Sequence, residues 1–187
     1  MSPRIAVVSA DNRFERWADR REVHAHHLPH RSVQILLFNR AGELLLQKRH
    51  RDKLTYPSSW DLSCAGHVEE PDYPAGPDDD LDSVYDAVAL RELTEELGVT
   101  ASLTRLARFA PEPGVHYEQL HLYRAEHEGP FVLQEDEVEE VRFVSPEAFD
   151  AMVREARETI VPALVWFVRW AREHAGLFLP RAAGTSD

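Results

Sequence analysis

The chain has 187 residues, enough for one domain with a full hydrophobic core and short for two. Lys and Arg number 21 against 33 Asp and Glu, and the net charge of −12 argues against nucleic-acid polymers and anionic membranes as partners, since both call for a basic footprint. A small anionic substrate stays open, because a bound divalent cation inverts the field locally.

At the start, Met1-Ser2-Pro3-Arg4-Ile5 lacks the apolar core and cleavage pattern of a signal peptide, and no later run has the length of a membrane span. Cys64 is the one cysteine, which permits no internal disulfide and suits a reducing compartment. The expectation is a cytoplasmic protein. Ile5 to Ser9 reads as a short strand, Asp11-Asn12-Arg13 as a turn, Phe14 to Trp17 as a second strand, and the polar segment Asp19 to His27 as one or two helical turns. Ser32 to Phe38 and Glu43 to Lys48 are strands joined by a turn at Asn39 to Gly42; their near-continuous apolar character predicts cover on both faces. Trp60 to Ala65 is a third strand candidate. The stretch Pro71 to Asp80 is acidic, rich in Pro and without periodicity, which predicts a disordered surface loop.

Asp82 to Leu97 reads as a helix stopped by Gly98. Strands fit Leu106 to Ala110, Tyr117 to Ala125 and Val138 to Val144. Ser145-Pro146 opens a helix with Ser as cap, and another begins near Thr159 and Pro162 and runs through Trp166, Phe167 and Trp170. Those aromatics at helical spacing are core or a homodimer face. Residues 176–187 are expected to be a disordered tail. Strands mixed with helices predict a layered α/β domain spanning the chain.

On the helix, Leu90, Leu93 and Leu97 fall on one narrow stripe and are expected to bury. Glu92, Glu95 and Glu96, at i, i+3 and i+4, share another face within roughly 100° of arc, turned away from the leucines. Three carboxylates this close repel, by a few tenths of a kcal/mol per pair. The repulsion becomes attraction when a hard divalent cation such as Mg²⁺ binds through oxygen ligands. Alone, such a triplet reads as a solvated acidic face.

The neighbouring residues change that reading. Arg91-Glu92-Leu93-Thr94-Glu95-Glu96-Leu97-Gly98-Val99, preceded by Ala65-Gly66-His67-Val68-Glu69, resembles the Nudix box, G-x5-E-x7-R-E-U-x-E-E-x-G-U, with U a bulky aliphatic. The second half matches at every fixed position. The run His30-Arg31 through Leu44 to Arg49, then Tyr56-Pro57 and Trp60-Asp61, is similar to the branch of that family related to isopentenyl-diphosphate isomerase. The resemblance implies an α/β/α sandwich with a mixed sheet. It also implies that Glu92, Glu95, Glu96 and the Gly66 carbonyl hold Mg²⁺, with Mn²⁺ as substitute. One of the glutamates (Glu92 or Glu95) would also act as base, and Arg91 would hold the carboxylates by salt bridge. The implied reaction is hydrolysis of a small-molecule diphosphate, such as a nucleoside diphosphate derivative.

The box is interrupted. Between Gly66 and Arg91 lie 24 residues where the family has 13, an insertion of 11 assigned to the acidic loop at 71–82. Counted back from Arg91, the first Glu of the box falls on Ser83, and Glu69, Glu70, Asp80 or Asp82 are the candidate replacements. A degenerate box in a domain that senses nucleotides without cleaving them is one alternative. An isomerase is another, but its catalytic Cys position holds Ala65, and Cys64 is one residue early, which turns a strand side chain to the opposite face. The isomerase's second metal site has partial counterparts in His30, His67 and Glu118, with His116 in place of an acid. These residues could hold Zn²⁺ or Mn²⁺, or serve only as hydrogen-bonding histidines.

Overall fold

Residues 3–180 are described by a computed structural model, in which helices cover both faces of a nine-stranded mixed sheet. In chain order the elements are β1 (Arg4–Val8), β2 (Phe14–Asp19), α1 (Arg20–Ala25), β3 (His30–Phe38), β4 (Leu44–Arg49), β5 (Trp60–Asp61), β6 (Cys64–His67), α2 (Leu81–Leu97), β7 (Thr104–Phe109), β8 (Glu118–Glu126), β9 (Val138–Val144), α3 (Pro146–Glu155) and α4 (Pro162–Ala175). Short 3-10 turns lie at Glu70–Asp72 and Arg157–Thr159. The expected α/β/α layering and mixed sheet are present. β3 runs parallel to β8 from His30↔Glu118 to Phe38↔Glu126 and antiparallel to β6 and β1.

The apolar part of β3, Val33 and Ile35 to Phe38, is covered on both faces. Val33, Ile35 and Leu37 join the core under α2, with Val84, Tyr85, Val88, Leu93 and Leu97. Leu36 and Phe38 join the opposite core, with Leu44, Leu46, Phe149 of α3 and Leu164 and Phe167 of α4. Phe167 is wholly buried, while Trp166 and Trp170 pack edge-on against Phe109 of the same chain, at ring-centroid distances of 5.1 and 5.2 Å. α3 starts as its sequence predicts, with Ser145 Oγ accepting from the Ala148 N–H. No helix among the described residues is long and apolar enough to cross a membrane.

The sheet opens where the site lies. β3 and β4 share the register pair Phe38↔Leu44 and then diverge, β3 taking β6 as neighbour while β4 takes β5 and β9. Ser63 wedges the fork: its Oγ accepts from the Leu37 N–H (2.8 Å) and donates to the Leu45 carbonyl (2.6 Å). The segment Trp60 to Ala65, expected as one strand, is therefore two short ones on different partners.

Three further expectations are corrected. The acidic stretch 71–80 is pinned to the body of the protein by Arg31, whose side chain is fully buried. Arg31 donates to Asn12 Oδ1 (2.8 Å), the Asn12 carbonyl (2.7 Å), Tyr73 Oη (3.2 Å), the Pro77 carbonyl and Asp78 Oδ1 (2.7 Å). A buried guanidinium requires such a set of acceptors, and the loop supplies three of them. Composition alone carried no sign of this. At the C-terminus, Phe178 is buried against Phe38 and Phe149, so the chain stays packed beyond Gly176; the rest of the expected tail, 181–187, lies outside the described residues. Leu90 stands out at 45% exposure. The buried side of α2 is set by Val84, Tyr85, Val88, Ala89, Leu93 and Leu97, and Glu92 and Glu96 fall inside that arc.

Candidate active site

A cavity of about 670 Å³ lies in the fork between β3 and β4. α2 brings Glu92, Glu95 and Glu96 to one wall. Glu92 and Glu96 are buried, at 8% and 7% exposure, while Glu95 is open at the rim. Glu92 reaches the cavity across Gly66 of β6. A Cβ at position 66 would lie 2.0 Å from Glu92 Cδ, so the close approach of strand and carboxylate requires glycine. Glu96 Oε2 accepts from the Ala65 N–H (3.4 Å) and from Gln47 Nε2 (3.3 Å).

Arg91 organises the wall. Its Nη1 donates to Glu95 Oε2 at 2.8 Å and lies 3.0 Å from Glu92 Oε1, while its Nη2 meets Asp72 Oδ2 and the His67 carbonyl at 3.2 and 3.3 Å. Asp72 Oδ2 also accepts from the Glu69 N–H at 2.7 Å, which fixes the turn leading out of β6. Asp72 was absent from the candidates for the missing box acid. Counting forward from Gly66 identifies it: Gly66, five residues, Asp72. The insertion therefore lies between that acid and the helix.

Burial pushes the Glu92 carboxyl up to about 8; Arg91 opposes the shift and Glu96 and Glu95 add to it. Burial raises Glu96 as well, against hydrogen bonds from Cys64 and the Ala65 backbone. Two buried acids on one cavity wall fit a divalent cation, whose charge would oppose both shifts. The donor set, carboxylate oxygens beside the Gly66 backbone, is the hard-oxygen chemistry that Mg²⁺ prefers.

Cations face this wall. Arg20, Arg49 and Lys53 line the same cavity. Arg49 Nη1 donates to Asp61 Oδ2 at 2.9 Å, and Lys53 pairs with Glu137. Burial, together with Arg20 and Arg49, lowers the Lys53 ammonium to about 8. Lys48, between Gln47 and Arg49 on β4, points to the other face of the strand and pairs with Glu139 at 3.3 Å.

The histidines form a second group. Donor atoms of His24, His30 and His67 lie within 4.8 Å of one another. His30 and His67 belonged to the expected set; His24 did not, since a residue on α1 has no periodic relation to either strand. The other two expected members lie alongside. Glu118 Oε1 is 3.8 Å from His30 Nε2, and Glu118 Oε2 is 3.4 Å from His116 Nδ1. Burial lowers His24 to about 4 and pulls His30 and His67 down as well, which keeps all three neutral at pH 7. His30 Nδ1 lies 2.7 Å from the Leu28 carbonyl; as donor there, the ring leaves Nε2 with a free lone pair.

Comparison with known proteins agrees with this architecture. The NUDIX domain pattern matches residues 28–164. A protein from Pseudomonas aeruginosa named uncharacterized Nudix hydrolase PA4841 is 38% identical over 145 residues, covering 76% of this chain and 79% of its own length. Isopentenyl-diphosphate Delta-isomerase 2 of Photorhabdus laumondii is 26% identical over 155 residues, 80% of each chain. The crystal structure of DR0079 from Deinococcus radiodurans has the same fold, with a TM-score of 0.75 at 21% identity, over 89% of this chain and 98% of that one. The box whose acids gather at this cavity is thus part of a match that runs through most of the chain, and the protein belongs to the Nudix family, as one of its pyrophosphohydrolases.

Proposed function

We propose that the protein is a Mg²⁺-dependent hydrolase of the cytoplasm, and that it cleaves the diphosphate linkage of a nucleoside diphosphate derivative or a similar X-linked diphosphate. One observation carries the reading: a carboxylate wall (Glu92, Glu95, Glu96) and a cationic wall (Arg20, Arg49, Lys53) share one cavity. A diphosphate needs both, cations for its outer oxygens and a metal site for its reacting phosphorus. Glu92, Glu95, Glu96 and the Gly66 carbonyl would hold the cation, with Mn²⁺ able to substitute. When bound, the ion supplies charge neutralisation at the phosphoryl oxygens and lowers the pKa of water. Glu95 takes the proton of the attacking water, since Arg91 steadies one of its oxygens and its rim position is open to solvent. The water oxygen bonds to phosphorus, the bridging P–O bond breaks, and Lys53 and Arg49 offset the charge of the phosphate that leaves. Incubation of the protein with a panel of diphosphates, with and without Mg²⁺, tests this by phosphate release. No turnover of any of them, with Glu96→Gln indistinguishable from wild type, would sink the reading. The isomerase alternative is disfavoured by Cys64, which is wholly buried and whose thiol burial pushes up.

A second metal reading rests on the histidine triplet. We infer that His24, His30 and His67 bind Zn²⁺ or Mn²⁺, with Glu118 and His116 behind them; neutral imidazoles within 4.8 Å of one another support it. Calorimetric titration of Zn²⁺ into Glu96→Gln protein should show one site that His30→Ala removes. Equal binding by both proteins would refute it.

A further inference from the structure

The hydrolase reading uses the charged groups of the cavity and leaves two of its amides without a task. Gln47, on β4, is 4% exposed, and its Nε2 donates to Glu96 Oε2 at 3.3 Å. A carboxylate accepts and does not donate, so this contact decides which end of the amide faces Glu96 and turns Oε1 away from it. Among the described residues, Gln47 Oε1 has no hydrogen-bond partner. Gln34, across the fork on β3, repeats the pattern: its Oε1 is buried and unpaired too. Register places Gln34 opposite Ala65, whose N–H donates to the same oxygen of Glu96. Both side chains line the cavity. Buried amide oxygens without donors are costly, and an aliphatic side chain of similar length would avoid that cost. Their presence beside Glu96 calls for a ligand that donates protons. Phosphate oxygens and ionised carboxylates do not. Water bound to a divalent cation does, and Mg²⁺ retains several waters when it binds to carboxylates.

We propose that Gln47 and Gln34 are positioning residues that form an outer clamp on the metal site, their amide oxygens accepting hydrogen bonds from water ligands of the cation held at Glu96. This rests on the metal-dependent reading above. The clamp would fix the orientation of those waters and with it the lone pair that each can present to phosphorus. Outer partners of this kind contribute about 10- to 100-fold to metal affinity or activity.

The test uses the full chain without substrate. Mg²⁺ is titrated calorimetrically into wild type, Gln34→Met, Gln47→Met and Glu96→Gln, and the exchange of Mn²⁺-bound water is followed by oxygen-17 relaxation. Gln34→Met is the cleaner variant, because Gln34 makes no hydrogen bond to Glu96 that its loss would disturb. The expected result is Mg²⁺ affinity reduced about tenfold in Gln34→Met and at least as much in Gln47→Met. Water exchange should be faster in both, with metal-free melting temperatures no lower than that of wild type. Wild-type affinity and wild-type water exchange in both glutamine variants, with binding lost in Glu96→Gln, would overturn the clamp and leave the hydrolase standing. Wild-type binding in Glu96→Gln as well would overturn both.

Discussion

Arg91 and Asp72 are joined by a 3.2 Å ion pair that spans the whole insertion of the box. Through Asp72 the guanidinium is tied to the turn after β6; through Glu92 and Glu95 it is tied to the carboxylate wall of the cavity. The 11-residue insertion follows Asp72, and residues 73–80 fold back onto Arg31 before the chain enters α2.

Asp72→Asn keeps the size of the side chain and removes the charge that Arg91 meets. We expect kcat to fall on the order of tenfold with KM little changed, and Asp72→Glu to restore most of it, since the longer acid is the residue the box ordinarily carries. Steady-state kinetics on both variants checks this. Equal loss in Asn and Glu would show that the pair only stabilises the turn.

Gly66→Ala drives a methyl group into Glu92. The carboxylate must move by an ångström or more, and a displacement of that size costs on the order of 10²-fold in rate. Circular dichroism should show a retained fold, and calorimetry a weakened Mg²⁺ site. Wild-type rates in this variant would place the reacting metal away from Glu92.

Arg31→Met leaves Tyr73 Oη, the Pro77 carbonyl, the Asn12 acceptors and Asp78 without their shared donor. Removing one member of a buried charge network costs about 3–5 kcal/mol, which urea denaturation will measure. Partial exposure of Asp78 sets the expectation at the lower end. Limited proteolysis should then cut within 71–80, and an uncut loop would mean that other contacts hold it.

The pH dependence of the metal-free protein has two limbs. Glu92 is raised from its ordinary carboxylate value to about 8, so its contribution is present below about pH 4.5 and is lost as pH rises through 8. His24 is depressed to about 4, with His30 and His67 lowered too; their contribution is present above pH 6.5 and is lost as pH falls toward 4. Thermal melts in chelator should therefore peak near about pH 6.5. Added Mg²⁺ should flatten the alkaline limb, and its affinity should rise about tenfold per pH unit between 6 and 8, because binding displaces the Glu92 proton. A flat affinity profile would show that Glu92 is already ionised.

Much of the fold was legible where the signal is local. Ser145 before Pro146 announced α3, Gly98 announced the end of α2, and two-faced cover of β3 followed from its near-continuous apolar character. What was missed depends on contacts distant in sequence. The loop 71–80 looks unstructured because its anchor, Arg31, lies on a strand more than 40 residues earlier. His24 lies near His30 in sequence, but its meeting with His67 depends on the short α1 folding against the sheet. Gln47 and Gln34 look like ordinary strand glutamines until the fork between β3 and β4 exposes their unpaired oxygens.

By itself the sequence determined the relative register of Arg91, Glu92, Glu95 and Glu96, since helical geometry depends on spacing alone. Its resemblance to the box also singled out Gly66 as a residue expected beside them. The tertiary structure decided which of those acids is buried. Glu92 and Glu96 lie within the packed arc of α2 and Glu95 at its edge, a distinction that arises only when β6, with no side chain at Gly66, comes up against the helix. Burial in turn raises the carboxyls of Glu92 and Glu96, which spacing alone does not do.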